Sequence, residues 1–295
     1  GRQVTLIERG EWCAGTSGAT FAWVGAHGQT PLSYHLFRRE SIRRYETLGP
    51  EIGTDVEYRP MPSLELLETP QEWRQAAEKV RRMQDEGYAL RMVSAEELYQ
   101  LEPHLARRFA GATFCPVGGV INPFRLTLGL LRAASRAGAV LIPHTELRSI
   151  TVRRGRLSSL VTSRGELRAQ VVVLAAGVAT RAIARELGII IPVRPVRGQL
   201  LVTEPLPPLF FHVISDVRQT AHGNLLIGRT DEEEVEAACT TAGGMARLAC
   251  RILRMAPVLR EAKVVRSYAG LRPMPADELP ILGSVAGARG LLVAV

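Results

Sequence analysis

A chain of 295 residues with 46% apolar and 22% charged side chains is large enough to bury one large core or two cooperating ones, and its composition excludes a disordered protein. No apolar run reaches the roughly 18 to 20 residues of a membrane span, and no leader with an apolar segment and cleavage site opens the sequence. The net charge of +8 comes almost wholly from arginines scattered in pairs, such as Arg38-Arg39 and Arg153-Arg154; with 5% aromatics there is neither a basic stripe nor a stacking platform, so nucleic acid is not an expected partner.

In chain order, VTLIE reads as a short apolar strand ending in Glu8, followed by the small-residue stretch AGTSGATFA. An amphipathic helix is expected over 36–53, with Phe37, Ile42, Tyr45, Leu48 and Ile52 near one face. SLELLE is expected to be a strand and 71–87 a helix stopped by Gly87. Ser94 and Glu97 form a capping box for a short helix that ends before Pro103. Asn122 caps a helix with Pro123 in its first turn, which runs to Gly138; AVLI then forms a strand. A meander with turns at RRG and SRG follows, and VVVLAAG reads as a strand buried on both faces. RPVRGQLLVTE opens a second β-rich section, and a helix carrying Leu248, Ile252 and Met255 precedes the closing strands. Cys13, Cys115, Cys239 and Cys250 share no metal-ligand spacing with the six histidines, and no disulfide framework is expected.

Several residues carry chemistry with an ordinary alternative beside it. In a dinucleotide-binding unit an acid at the end of the second strand accepts hydrogen bonds from the ribose, with a G-x-G-x-x-G turn about 20 residues earlier. Glu8 fits that place, or is the polar end of a strand. Thr16, Ser17 and Gly18 supply small side chains and N–H groups suited to a pyrophosphate or flavin, or make a flexible glycine turn. Ala176 and Gly177 allow close passage of a cofactor, or form a tight strand exit. Arg272 offers a planar fork for a carboxylate, or a structural ion pair with an acid such as Asp277.

Taken in order, VTLIERG with AGTSGATFA, GGVINPFRLTLGLLRAASRAGAVLIPHTELRSI, VVVLAAGVAT, RPVRGQLL, HGNLLIGRTDEE, GLRPMPADELPILG and GLLVAV resemble the D-amino-acid oxidase/glycine oxidase superfamily of FAD-dependent oxidoreductases. The resemblance covers almost the whole chain. The VRQT and GNLLIG wording is as similar to amino-acid and opine dehydrogenase-type members as to oxidases.

It implies an α/β fold, with an FAD-binding Rossmann-like domain (1–55, 120–195 and 270–295) interleaved with an α+β, antiparallel-sheet substrate domain (56–119 and 196–269). Non-covalent FAD would be held by Glu8, Arg9, Thr16, Ser17, Gly18, Leu147, Ala176 and Gly177. Arg272, with Arg218 as a second candidate, would bind the carboxylate of an amino acid or secondary amine and aim its α-hydrogen at the flavin; the resulting imine is then hydrolysed. No protein acid or base is assignable. No tyrosine lies between Asp216 and Gly223, where glycine oxidases commonly have one, which puts glycine itself in doubt. Oxygen or an electron carrier would reoxidise the flavin. A homo- or hetero-oligomer, cytoplasmic or at the inner membrane surface, is expected. The resemblance also implies a fragment lacking both glycine-rich ends, with the G-x-G-x-x-G turn upstream of Gly1. An NAD(P)-dependent dehydrogenase and a non-catalytic subunit that keeps the fold are the alternatives.

Overall fold

The structure, a computed structural model, describes residues 3–233, 235 and 237–295. The chain begins with β1 (Thr5–Ile7) and β2 (Trp23–Gly25), then α1 (Leu32–Ile52). Helix α1 starts earlier than its periodicity predicts because His35 turns inward, where its Nδ1 meets the Ala26 carbonyl at 3.0 Å. Ile42 and Ile52 are buried with it, whereas Phe37, expected on that face, is 54% exposed.

Next come β3 (Arg59–Pro60), β4 (Ser63–Leu67), α2 (Pro70–Asp85), β5 (Arg91–Ser94) and α3 (Ala95–Leu101). Thr69 and Ser94 accept the Glu72 and Glu97 N–H groups at 3.1 and 3.2 Å, which satisfies an orphan donor of each helix. The box at Ser94 is only half built, since the Glu97 carboxylate turns to Arg91 at 2.7 Å. Then follow β6 (Gly111–Cys115), β7 (Gly118–Val120), α4 (Pro123–Arg136) and β8 (Val140–Ile142). Asn122 caps α4 by accepting from the Phe124 and Arg125 N–H groups at 3.1 and 3.2 Å, with Pro123 where a helix needs no donor.

The meander is β9 (Leu147–Arg153), β10 (Arg156–Thr162) and β11 (Gly165–Leu167), followed by β12 (Val172–Leu174), α5 (Ala179–Glu186) and the long β13 (Val193–Pro205). Strands β14 (Val213–Ile214), β15 (Val217–Gln219), β16 (Asn224–Ile227) and β17 (Glu232–Glu233) precede α6 (Ala242–Met255), capped by Thr241. Finally β18 (Val264–Pro275), β19 (Leu282–Ser284) and β20 (Leu291–Ala294) close the chain.

Of the five sheets among the described residues, three position the site. Strand β1 runs parallel to β8, and β12 runs parallel to β20. The large sheet has nine strands in the order β17-β13-β16-β15-β14-β4-β6-β5, with β18 on β13. It is antiparallel except that β14 runs parallel to β4, so the expected antiparallel sheet is a mixed one.

One core packs α3 and α6 on the large sheet through Leu64, Leu98, Leu201, Ile214, Leu225 and Leu248. A second gathers Ile150, Leu160, Leu174, Ala184, Val193 and Leu291 around β12 and α5. Strand β12 is not buried on both faces as its uniform composition suggests: Leu174 faces this core, whereas Val173 is 56% exposed because nothing among the described residues covers its face.

Candidate functional site

Open α/β sheets hold dinucleotides beyond the carboxyl ends of their parallel strands. Both parallel pairs deliver candidate residues there. Glu8 follows the last residue of β1, fixed by its N–H on the Ile142 carbonyl at 3.1 Å and by Thr145 N–H on its own carbonyl at 2.7 Å. Its Oε1 accepts the Gly10 N–H at 2.8 Å, which leaves Oε2 without a partner among the described residues. Arg9 beside it is exposed. Leu147, two residues past Thr145, is half-buried at the start of β9. At the end of β12, Ala176 and Gly177 make the entry to α5, and the φ of +55° at Gly177 is one that a glycine adopts without cost.

The loop after Glu8 is tied to β18. Gly15–Ala19 is a tight turn in which the Gly18 N–H meets the Gly15 carbonyl at 3.1 Å. Only glycine fits at position 18, because a Cβ there would lie 2.1 Å from the Cys13 carbonyl oxygen. Thr16, a sequence candidate for the cofactor, spends its hydroxyl on the Leu271 carbonyl at 2.6 Å. Ser17 is exposed with a free hydroxyl among the described residues. Ala19 abuts Gly270, where a Cβ would come within 2.9 Å of its methyl, and a Cβ on Gly177 would be 3.9 Å from Pro273. Loop 16–19 and turn 176–177 therefore converge on residues 270–273 of β18. This glycine-lined junction and the free Oε2 of Glu8 fit a dinucleotide.

Arg272 lies at that junction. Its Nη2 donates to the Thr230 carbonyl at 3.1 Å and pairs with Asp231, not with Asp277, whose carboxylate accepts the Leu279 N–H at 3.1 Å. The pair is open to water, with side-chain exposures of 26% for Arg272 and 55% for Asp231. Asp231 also meets Arg229 Nε at 3.3 Å. Burial pushes its carboxyl up, but Arg229 and Arg272 outweigh that and hold it below the ordinary carboxylate range.

Arg218 is placed differently. On β15, it is 4% exposed, its Nε donates to the Phe21 carbonyl at 2.6 Å, and its guanidinium lies 5.6 Å from the Phe21 ring centre. No carboxylate pairs with it among the described residues. Burial lowers it to about 10, with Tyr268 opposing and Arg59 adding to the fall. Sequence reasoning missed both of these neighbours. Tyr268 was findable, since positions 268, 270 and 272 of one strand share a face; Arg59 gave no local signal.

His27, His35 and His212 are buried in contacts within the fold. His27 is buried between the Ser63 and Thr113 hydroxyls, each 2.8 Å from a ring nitrogen. His212 meets the fully buried Glu102 at 2.7 Å. Arg197 is held by Glu232, with Nε at 2.8 Å. Among the described residues no cluster of three His, Cys, Asp or Glu is placed to hold a metal.

A parallel strand ending in an acid, and another ending in a glycine turn that meets a strand carrying Arg272, are the features of a dinucleotide-dependent oxidoreductase. Over residues 1–295 the chain matches the family described as DAO, FAD dependent oxidoreductase, and it belongs to that family. FAD, not NAD(P), is accordingly its cofactor.

The chain is 34% identical over 209 residues to hydrogen cyanide synthase subunit HcnC of Pseudomonas aeruginosa, covering 69% of this chain and 50% of that protein. It is 28% identical to a subunit of the opine oxidase of Agrobacterium tumefaciens, covering 90% and 74%. To glycine oxidase of Geobacillus kaustophilus it is 28% identical over 99% of this chain and 80% of that protein. The crystal structure of that glycine oxidase superposes with a TM-score of 0.92 at 27% identity, covering 99% and 82%. The chain thus spans about half the length of the HcnC proteins it matches.

Proposed function

We propose that this protein oxidises the C–N bond of a small amino or imino acid, with residues 1–55, 120–195 and 270–295 holding FAD and 56–119 and 196–269 holding the substrate. FAD, held by the residues named above, would supply a hydride acceptor for the carbon next to nitrogen. The nitrogen lone pair closes the C=N bond, and water then adds to give a carbonyl compound and an amine. Oxygen or an electron carrier takes the two electrons onward.

The observation that carries this reading is the half-used fork of Arg272. A carboxylate, that of Asp231, already docks on one arm, and Nη1 has no partner among the described residues. An exposed pair of this kind contributes little to stability and exchanges readily. Asp231 keeps Arg229 when it leaves, so a substrate carboxylate displaces it without stranding a charge. The backbone on either side of Arg272 is pinned by the cofactor loops, through Thr16 on Leu271 and Gly177 against Pro273. That fixes the carboxylate anchor relative to the residues proposed for FAD. Glu8 would take the ribose through Oε2, and Leu147 would border the adenine. The names of the relatives, a glycine oxidase and part of an opine oxidase, support an amine or amino acid as substrate.

The test is the visible spectrum of the protein expressed from its gene. A yellow protein that is bleached without oxygen by glycine, sarcosine, a D-amino acid or an imino acid is the expected result. A yellow protein that none of these bleaches would sink the reading. Admitting oxygen or an artificial dye then separates oxidase from dehydrogenase.

A further inference from the structure

The ion pair between Arg272 and Asp231 is used on one side only. Both contacts of Asp231, with Arg272 Nη2 and with Arg229 Nε at 3.3 Å, fall on its Oδ1. Its Oδ2 has no partner among the described residues, and neither has Arg272 Nη1. A carboxylate oxygen only accepts and a guanidinium N–H only donates. One open acceptor and one open donor therefore stand in a single contacting pair, on side chains that both reach water. Arg272 alone would serve any carboxylic acid; the acid beside it asks for something more.

The place of Asp231 is set from both directions along the chain. Before it, the Thr230 hydroxyl accepts the Gln199 N–H and the Thr230 carbonyl accepts Arg272 Nη2, each at 3.1 Å. After it, Glu232 stands opposite Arg197 in the ladder of β13 and β17 and accepts Arg197 Nε at 2.8 Å. When Arg272 is given up, the Asp231 side chain stays on Arg229. Arg229 in turn meets Asp216 at 3.3 Å, which also takes Arg251 at 3.2 Å. Asp216 thus carries part of the Arg229 charge, and Asp231 keeps negative charge to offer. A substrate carboxylate that takes its place on Arg272 leaves the Asp231 carboxylate directly beside the incoming molecule. In an α-amino acid the nitrogen lies one carbon from the carboxylate, so the nitrogen is the group that meets Asp231.

We infer that Asp231 is a specificity residue that accepts the N–H of the substrate amine while Arg272 holds the carboxylate, so that the pair reads both charges of one amino acid. This rests on Arg272 as the carboxylate anchor proposed above and deepens it. Without substrate, Asp231 occupies the fork itself. A carboxylic acid that lacks the amine must displace it and gives nothing in exchange, whereas an amino acid returns a partner to the acid it displaces. Held at two points, the carbon between nitrogen and carboxylate also has a fixed orientation.

The test measures, on the FAD-loaded protein without oxygen, the dissociation constants of sarcosine and of butanoate, which has a methylene where sarcosine has its ammonium. Sarcosine is read from the concentration dependence of flavin bleaching and butanoate from its competition; if sarcosine does not bleach the flavin, both are read from their shift of the flavin band. The wild type is expected to prefer sarcosine about tenfold, the worth of a charge-assisted hydrogen bond in a site open to water. Asp231→Asn is expected to weaken sarcosine about tenfold and to tighten butanoate about threefold, because Arg272 then has no anion to give up. A merely structural role would not move the two constants in opposite directions. Equal affinity of the wild type for the two compounds, or a variant in which both constants move together or neither moves, would overturn the inference. So would a loss of FAD affinity in Asp231→Asn with the preference intact, since the residue would then serve the cofactor. Bleaching by amines with no preference for sarcosine over butanoate leaves C–N oxidation standing and removes only the role of Asp231. A preference that follows Asp231 without bleaching by any amine keeps that role and removes the oxidation.

Discussion

Replacing Arg218 with methionine should make the ligand-free fold more stable while damaging its chemistry. Burial brings the guanidinium down to about 10, and the displacement from its ordinary value is a penalty of about 3 kcal/mol for keeping the charge inside. The side chain is 4% exposed, so solvent screening does not reduce that figure much. Two favourable contacts would be lost with it. The bond to the Phe21 carbonyl is worth about 1 kcal/mol net, and the contact with the Phe21 ring about 1 kcal/mol. Methionine fills similar space without a charge to desolvate. The balance is a gain of about 1 kcal/mol, or a rise in Tm of about 2 °C for a chain of this size.

Urea unfolding of the wild type and of Arg218→Met at pH 7.5 measures it. A loss of 2 kcal/mol or more in Arg218→Met would show that the buried charge is compensated, and would refute this reasoning.

Two further outcomes follow from the same geometry. Burial, with Lys79 adding to it, lowers His27 from 6.5 to about 4, so the unfolded chain takes up its proton first. Stability should therefore fall by about 3 kcal/mol as pH drops from 6.5 to 4 on account of this residue, and His27→Gln should flatten that slope in urea titrations; identical slopes would refute the burial account. Gly270→Ala places a methyl 2.9 Å from that of Ala19, which should cost about 1 to 3 kcal/mol and weaken FAD binding. Adding Ala19→Gly should restore both by removing the opposing methyl, as a double-mutant cycle on FAD affinity and unfolding would reveal.

What the chain discloses locally, it discloses well. Ser94 and Asn122 cap the helices they were expected to cap, because a cap is an interaction between neighbours in sequence. Glu8 and Gly177 lie at strand ends for the same reason. Pairing across the fold is another matter. His212 meets Glu102 from 110 residues away, and Arg272 takes Asp231 and not the nearer Asp277. No periodicity carries such choices, since β13 is what brings residues 230–232 alongside β18. Phe37 and Val173 show the opposite error, where an apolar side chain of correct periodicity meets a face that nothing among the described residues covers. Arg59, with which no acid pairs among the described residues, was illegible because such a lack is defined only once the neighbours are known.

The ladder between β13 and β18 runs unbroken in register from Val193 opposite Pro275 to Val202 opposite Arg266. Val193 packs in the core around β12 and Leu201 in the core under α6, so one strand is rooted in both. Thirteen residues of extended chain make a beam about 43 Å long, braced along most of it by a second. Bending that beam would break backbone bonds in several rungs at once, so the two cores do not open like the halves of a clam. The segment that lies against the beam, residues 14–21, is bounded by Cys13 and Ala22 at φ +66° and +57°. A shift of this segment would disturb only its own contacts with β18, at Leu271 and Gly270, and leave the ladder whole.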